Sequence, residues 1–514
     1  MGVALWVLSC ANPEGQVSES GTDSDCPVGA EGCRCGDADA CDSGLLCVQS
    51  ACVDPGEETT LTTSTAGTET SMSSSTDSTS SDTGTTDTTG DPVECDPEAP
   101  ADVCATEDPT RPYCGSDGKC TDCSGIASCA DLNSETPLCN AATGLCSECT
   151  AEDPSPCAGD EPVCDGALGE CVSCSADADC GSGVCSPFTG LCFRNEVWVD
   201  GAFNNCAASD GSMAAPFCEV EDAFVTLGFT PTIINIRAGV YLGSLTVQGS
   251  QSVALRRASP ADVVEITTEN GTGLTLLKGA RAIVDGVRFT SNNFGVDCTE
   301  GELQARGSRF SDSDVSGIRA DACNMTLLSS VVADNFRQGI EVTGGELTLV
   351  NSFVSLNGLN VTDGGGIMTF GGVDLTLNYV TMFKNSGSIG GPGSIICTGS
   401  PTVYLRNSII VGESPDSIDE DCLFAADSLA YDYSQNPPDV GNGQLLQLSM
   451  MNINGILVTV GTDAQSGVLR PQPGINPIQS LGEWSAGDPL TDFDGDPRPA
   501  QEGAPDYAGA DRIK

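Results

Sequence analysis

Between Phe289 and Ile410 one apolar position recurs every 21 to 28 residues, and that recurrence constrains the fold more than any other feature of the chain. Phe289, Phe310, Val332, Val354, Met382 and Ile410 are spaced 21, 22, 22, 28 and 28 residues apart. Seven and five residues before each of the later five stand further aliphatic or small residues: Leu303 and Ala305, Met325 and Leu327, Leu347 and Leu349, Leu375 and Leu377, Val403 and Leu405. A period of two is strand alternation, because successive side chains leave opposite faces. A second anchor, Val296, Ile318, Ile340, Ile367 and Ile395, recurs at 22, 22, 27 and 28 residues. The two phases lengthen together, so both belong to one rung and the extra residues lie in a loop. Such a chain is expected to stack its rungs into a solenoid, since one rung alone cannot bury its apolar face.

A third phase locates a bend. Asn292, Asn335, Asn357 and Asn385 each follow the first anchor by three residues, with Ser313 at the equivalent place between. Stacked rungs lie about 4.8 Å apart, so each amide is placed to donate to the next, which is an asparagine ladder. Rungs of this length with this ladder resemble the right-handed parallel β-helix of the pectin-lyase-like superfamily. Val197-Trp198-Val199-Asp200-Gly201, an amphipathic stretch from Glu219 to Phe224, and Ile234 to Tyr241 resemble the opening of bacterial extracellular β-helix proteins, in which a short helix caps the first rung. The segment DPLTDFDGDPRPAQEGAPDYAGAD is similar to their closing segment.

Ahead of this head the chain is built from cysteines. Of 29, six lie between Cys26 and Cys52, sixteen between Cys95 and Cys192 and six from Cys206 onward, which leaves only Cys10 outside an even block. The sixteen form four units of four, joined by two residues, with Gly118, Gly144, Gly169 and Gly190 two before each closing cysteine. Modules of roughly 25 residues are too small for a core and need covalent staples. The CxxC joints, such as Cys120 with Cys123, also fit zinc or redox sites, but structural disulfides are favoured where no histidine or flanking basic charge is present. Such modules resemble the cysteine-rich stalk repeats of bacterial, myxobacterial-type surface proteins. In the head, Cys206, Cys218, Cys298, Cys323, Cys397 and Cys422 are the disulfide candidates; Cys298 to Cys323 and Cys397 to Cys422 are both 25 residues apart, about one rung.

Between the first two blocks, 22 of the 31 residues from Thr59 to Thr89 are Ser or Thr. Such a stretch buries too little to offset the entropy of ordering and reads as a disordered tether. The fold class is therefore all-β, a right-handed parallel β-helix preceded by small disulfide-rich modules and a Ser/Thr-rich linker. The boundaries are 1–10 for a lipoprotein signal remnant, 11–53 for the first cysteine cluster, 54–94 for the linker, 95–193 for the four-unit stalk and 194–514 for the head. The signal reading rests on Val7-Leu8-Ser9-Cys10, which resembles a bacterial lipobox and implies acylation of Cys10. It places the protein at the outer membrane or cell surface of a bacterium, held through the lipid alone.

Charge narrows the function. With 73 Asp and Glu against 20 Lys and Arg, the formal charge is −53, which excludes nucleic acid as a partner. The absence of histidine removes Ser-His-Asp and Cys-His catalysis and every His-containing metal site. No residue is assigned a catalytic role. The alternative is an extracellular polysaccharide lyase or glycoside hydrolase, whose bases would be drawn from Arg288, Arg306, Arg309, Arg319, Arg337, Lys384 and Arg406, with Arg306 and Arg309 read as neighbours in one strand. The stronger expectation is a structural, adhesive or glycan-binding head whose partner is a glycan or a surface protein. Asp492, Asp494 and Asp496 form the candidate metal loop, since alternating carboxylates around Gly495 suit calcium. The favoured reading of that loop is nevertheless a solvated closing turn paired with Arg498, because the bidentate Glu of an EF-hand is missing.

Overall fold

In a computed structural model, the described residues are 46–48, 51–53, 95, 102–107 and 110–512, except 127, 156, 158–160, 182, 359–364, 388–391, 400, 413–416, 432–443, 449–455, 459–466 and 475. The chain divides into two units, residues 1–88 and 89–514. In the first, Leu46–Val48 and Ala51–Val53 pair antiparallel. Cys10 and the tether lie outside the described residues.

The second unit is dominated by a parallel solenoid. Among the described residues, strands Asn195–Val199 through Leu445–Gln447 join into one 18-stranded sheet that bends around two sides of the coil, and Leu245–Val247 through Ile395–Thr398 form a seven-stranded sheet on the third side. One rung shows the plan: Glu302–Arg306, then Arg309–Ser311, then Ser316–Asp321. Phe289, Phe310, Val332, Val354, Met382 and Ile410 stand in register on successive rungs. Val296, Ile318, Ile340, Ile367 and Ile395 do so on the third side. All belong to one continuous buried core, in which the Phe289 and Phe310 rings stack 5.6 Å apart. The helix Val220–Val225 covers the first rung by burying Val220 and Ala223.

Each ladder residue follows a residue in the left-handed region: Ser291, Asp312, Asp334, Leu356 and Lys384 have φ between 51° and 61°. The amides of Asn335 and Asn357 donate to Asn357 Oδ1 and Asn385 Oδ1, both at 2.9 Å. Asn292 accepts from Thr268 Oγ1 at 3.0 Å, while its own amide nitrogen is buried without a partner because Ser313 is too short to accept from it. A second ladder escaped the sequence reading. The backbone N–H groups of Ser308 and Ser330 donate to the hydroxyls of Ser330 and Ser352, one rung on, at 3.3 and 3.1 Å.

The outer face of the solenoid is covered at both ends. On the later rungs, the outward residues Phe353, Phe383, Ile409 and Val411 form a second core with Leu457, Leu469, Ile478 and Tyr507 of the C-terminal segment. On the early rungs, Ile233, Ala254 and Ile283 pack against Val184 and Phe193 of the fourth cysteine unit. That unit is docked on the head, and Arg306 also bonds its Asp177 at 2.9 Å.

The four units share one connectivity, first cysteine to third and second to fourth: Cys95–Cys114 with Cys104–Cys120, Cys123–Cys139 with Cys129–Cys146, Cys149–Cys164 with Cys157–Cys171, and Cys174–Cys185 with Cys180–Cys192. Both cysteines of each CxxC joint are therefore bonded, in different bridges. Cys206 pairs with Cys218, Cys298 with Cys323 and Cys397 with Cys422.

Candidate functional site

The inward alternation of Leu375, Leu377, Val403 and Leu405 forces the residues between them onto the outer flank. Register then sets Thr376, Tyr404 and Ala425 in one outward row and Asn378, Arg406 and Asp427 in the next. Tyr404 is half exposed, with a small or short side chain on each side, so its ring face stays open. The turn 485–488 walls this surface, and Gly487 takes a φ of 94° that a side chain would strain. The open groove so formed has a volume of about 470 Å³ and is mostly apolar.

Polar groups at its edge are fixed. The buried carboxylate of Asp488 accepts from Asn378 Nδ2 and Arg406 Nη1, each at 2.8 Å, and from the Ser485 backbone at 2.7 Å. Arg406 Nη2 donates to Glu483 O at 2.9 Å, and its Nε lies 3.6 Å from Asp427. Arg406 is thus matched by two carboxylates, which leaves no net positive charge to hold an acidic polymer. Asn378 Oδ1 is buried at the edge of the groove with no hydrogen-bond partner.

The remaining sequence candidates are dispersed. Arg306 and Arg309 do not share a strand, because Gly307 and Ser308 turn the chain between them; Arg306 bonds Asp177 and Arg309 faces Asp334 at 3.4 Å. Arg319 is bonded to Asp297 and sits over the Phe294 ring. In the closing turn, Asp492 is buried, not solvated, and accepts from the backbones of Asp494, Asp496 and Arg512. Asp494 pairs with Arg470, while Arg498 turns inward to Asp506, away from the loop it was expected to neutralise. Asp492, Asp494 and Asp496 do not gather within 4.8 Å of one another; among the described residues only disulfide-bonded cysteines do so in threes. Tyr404 escaped the sequence reading, although an aromatic residue between two inward aliphatics was its signal.

Residues 294–428 match a family described as right handed beta helix region, and residues 110–198 match a family of unknown function, DUF8331. Two solved structures are similar. The crystal structure of pectate lyase Pel9A shares 15% identity, with 65% of this chain and 100% of that one covered and a TM-score of 0.36. A rhamnogalacturonan lyase shares 11% identity, with 61% and 96% covered and a TM-score of 0.28. No curated protein matches. The head is a right-handed parallel β-helix. It carries disulfide-rich modules at its N-terminal side, the last of them packed on its flank.

Proposed function

We propose that this is a lipid-anchored cell-surface protein whose β-helix binds an uncharged glycan in the groove at Tyr404. The observation that carries the reading is the open Tyr404 ring beside an unpartnered buried acceptor, Asn378 Oδ1. Ligand sites are apolar concavities with a few placed polar groups, and a sugar presents an apolar ring face with hydroxyl donors at its rim. Asp427, half exposed, supplies a carboxylate for those hydroxyls. A formal charge of −53 repels acidic polysaccharides. The bound glycan is expected to be released intact, since the groove's arginine is engaged structurally. A glycan array probed with the full chain tests the reading: neutral oligosaccharides should bind, and a Tyr404→Ala variant should lose them. Binding confined to acidic glycans overturns it. The anchor is tested separately, by a palmitate analogue that labels the full-length protein and fails to label Cys10→Ser.

A further inference from the structure

One outward row of the solenoid passes from covered to open at a single rung. Ile233, Ala254 and Ile283 stand in register on the early rungs and lie buried against Val184 and Phe193 of the fourth cysteine unit. The same row continues through Gln304, Thr326, Thr348 and Thr376 to Tyr404, and none of these five is buried. At the changeover, Arg306 on the strand of Gln304 bonds Asp177 of the cysteine unit at 2.9 Å. We propose that the open part of this row is a tract for a linear, extended neutral β-glycan, and that the docked cysteine unit is its end-stop. The inference rests on the reading of Tyr404 as a sugar platform.

The strip is uncharged over two neighbouring rows, since Leu328, Val350 and Asn378 stand beside Thr326, Thr348 and Thr376. In a chain of formal charge −53, such a strip offers apolar surface and hydroxyls rather than charge as its means of recognition. Along its other border Glu346 and Asp374 are exposed carboxylates in register, acceptors for sugar hydroxyls at the rim. From Gln304 to Tyr404, four rung steps of about 4.8 Å make a straight tract of about 19 Å. A straight row suits a straight chain: a β-1,4-linked glucose chain extends as a flat ribbon, whereas its α-1,4-linked counterpart coils away from the row. Past Tyr404 the row ends at the exposed Ala425, and the strand that follows pairs only with Leu429, Ala430 and Tyr431, so a longer chain can overhang there. At the other end the cysteine unit occupies the row itself, and a chain must stop.

The test is titration calorimetry of the full chain with β-1,4-linked glucose oligomers from the disaccharide to the octamer, and with α-1,4-linked oligomers of the same lengths. The β-linked pentamer should bind at least about tenfold more tightly than the disaccharide, the octamer should lie within about threefold of the pentamer, and the α-linked series should gain less than about threefold with length. Thr326→Arg, three rungs from Tyr404, should weaken the β-linked pentamer at least about tenfold and the disaccharide less than about threefold. An Asp177→Lys, Phe188→Asp double variant leaves every solenoid residue in place and drives the cysteine unit off Arg306 and the apolar row; in it the octamer should exceed the pentamer at least about tenfold. Affinity independent of length, equal gains in the α-linked series, a Thr326→Arg variant with parental pentamer affinity, or a double variant with the parental length dependence would each overturn the assignment. Tyr404→Ala separates the two readings: a variant that loses the disaccharide, in a protein whose parent gains nothing with length, keeps the platform and removes the tract.

Discussion

Replacing Arg498 should unlatch the C-terminal cover from the solenoid. Its guanidinium is fully buried and bonds Asp506, also fully buried, at 3.0 Å. It further donates to Asn351 Oδ1 on the solenoid at 3.0 Å and to the carbonyls of Gly509 and Ala510 at 3.1 and 3.2 Å. It lies 3.8 Å from the centre of the Tyr379 ring, whose hydroxyl is pushed to a higher pKa by burial. One side chain therefore ties the closing segment to two rungs. Arg498→Met keeps the bulk but leaves Asp506 charged and deprived of its main partner. Removing one member of a buried pair costs about 3–5 kcal/mol. At roughly 2 °C per kcal/mol for a large domain, the melting temperature should fall by about 6–10 °C. Because the lost contact belongs to the cover, hydrogen exchange should rise first at residues 478–484 and 504–510, and then beneath them at 381–383. The Arg498→Met, Asp506→Asn double variant should recover at least half of the loss, since no unpaired charge remains. A single variant melting within about 1 °C of the parent, or a double variant no better than the single, would refute this account of the latch.

Ser313→Asn should complete the asparagine ladder, because Gly295 already supplies the glycine socket that Gly317 and Gly339 provide for Asn335 and Asn357. Pairing the buried amide of Asn292 is worth about 1 kcal/mol, so a rise of roughly 2 °C by differential scanning calorimetry is expected and a fall would show the socket closed. Burial pushes Asp334 up to about 6, with Arg309 lowering it and Asp312 raising it, and burial beside Asp492 pushes Asp511 up to about 7. Both lie above the ordinary aspartate value of 3.8, so their stabilising contribution is complete below that value and is lost as pH rises through about 6 and 7. The protein should melt higher at about pH 5 than at about pH 8, and the reverse order would contradict the assignment.

The inner face of the solenoid was legible because burial on one side imposes a period of two on every rung, as at Leu347, Leu349 and Val354. The outer face was not, because nothing in a single strand says what will cover it. Phe353 beside Val354 and Phe383 beside Met382 did carry a trace, since strands buried on both sides read as unbroken apolar runs. Disulfide pairing in the stalk was open, as four cysteines allow three connectivities. The serine ladder was missed because serine is common at bends, and only the stacking of Ser308, Ser330 and Ser352 distinguishes these. Arg306 and Arg309 were joined wrongly because a two-residue bend, Gly307-Ser308, is shorter than the window in which periodicity is read. The candidate groove drew Tyr404 and Arg406 from one rung, Asn378 from the rung before and Asp488 from the distant closing segment, and no local motif records such a meeting.

Titration calorimetry of the full chain against a neutral oligosaccharide that it captures, compared with Tyr404→Ala, tests the central claim most directly. Removing an aromatic ring that stacks on the ligand costs about 1.4 kcal/mol or more, so affinity should fall at least about tenfold while the melting temperature stays unchanged. Undiminished binding by Tyr404→Ala would place the glycan elsewhere and contradict the account.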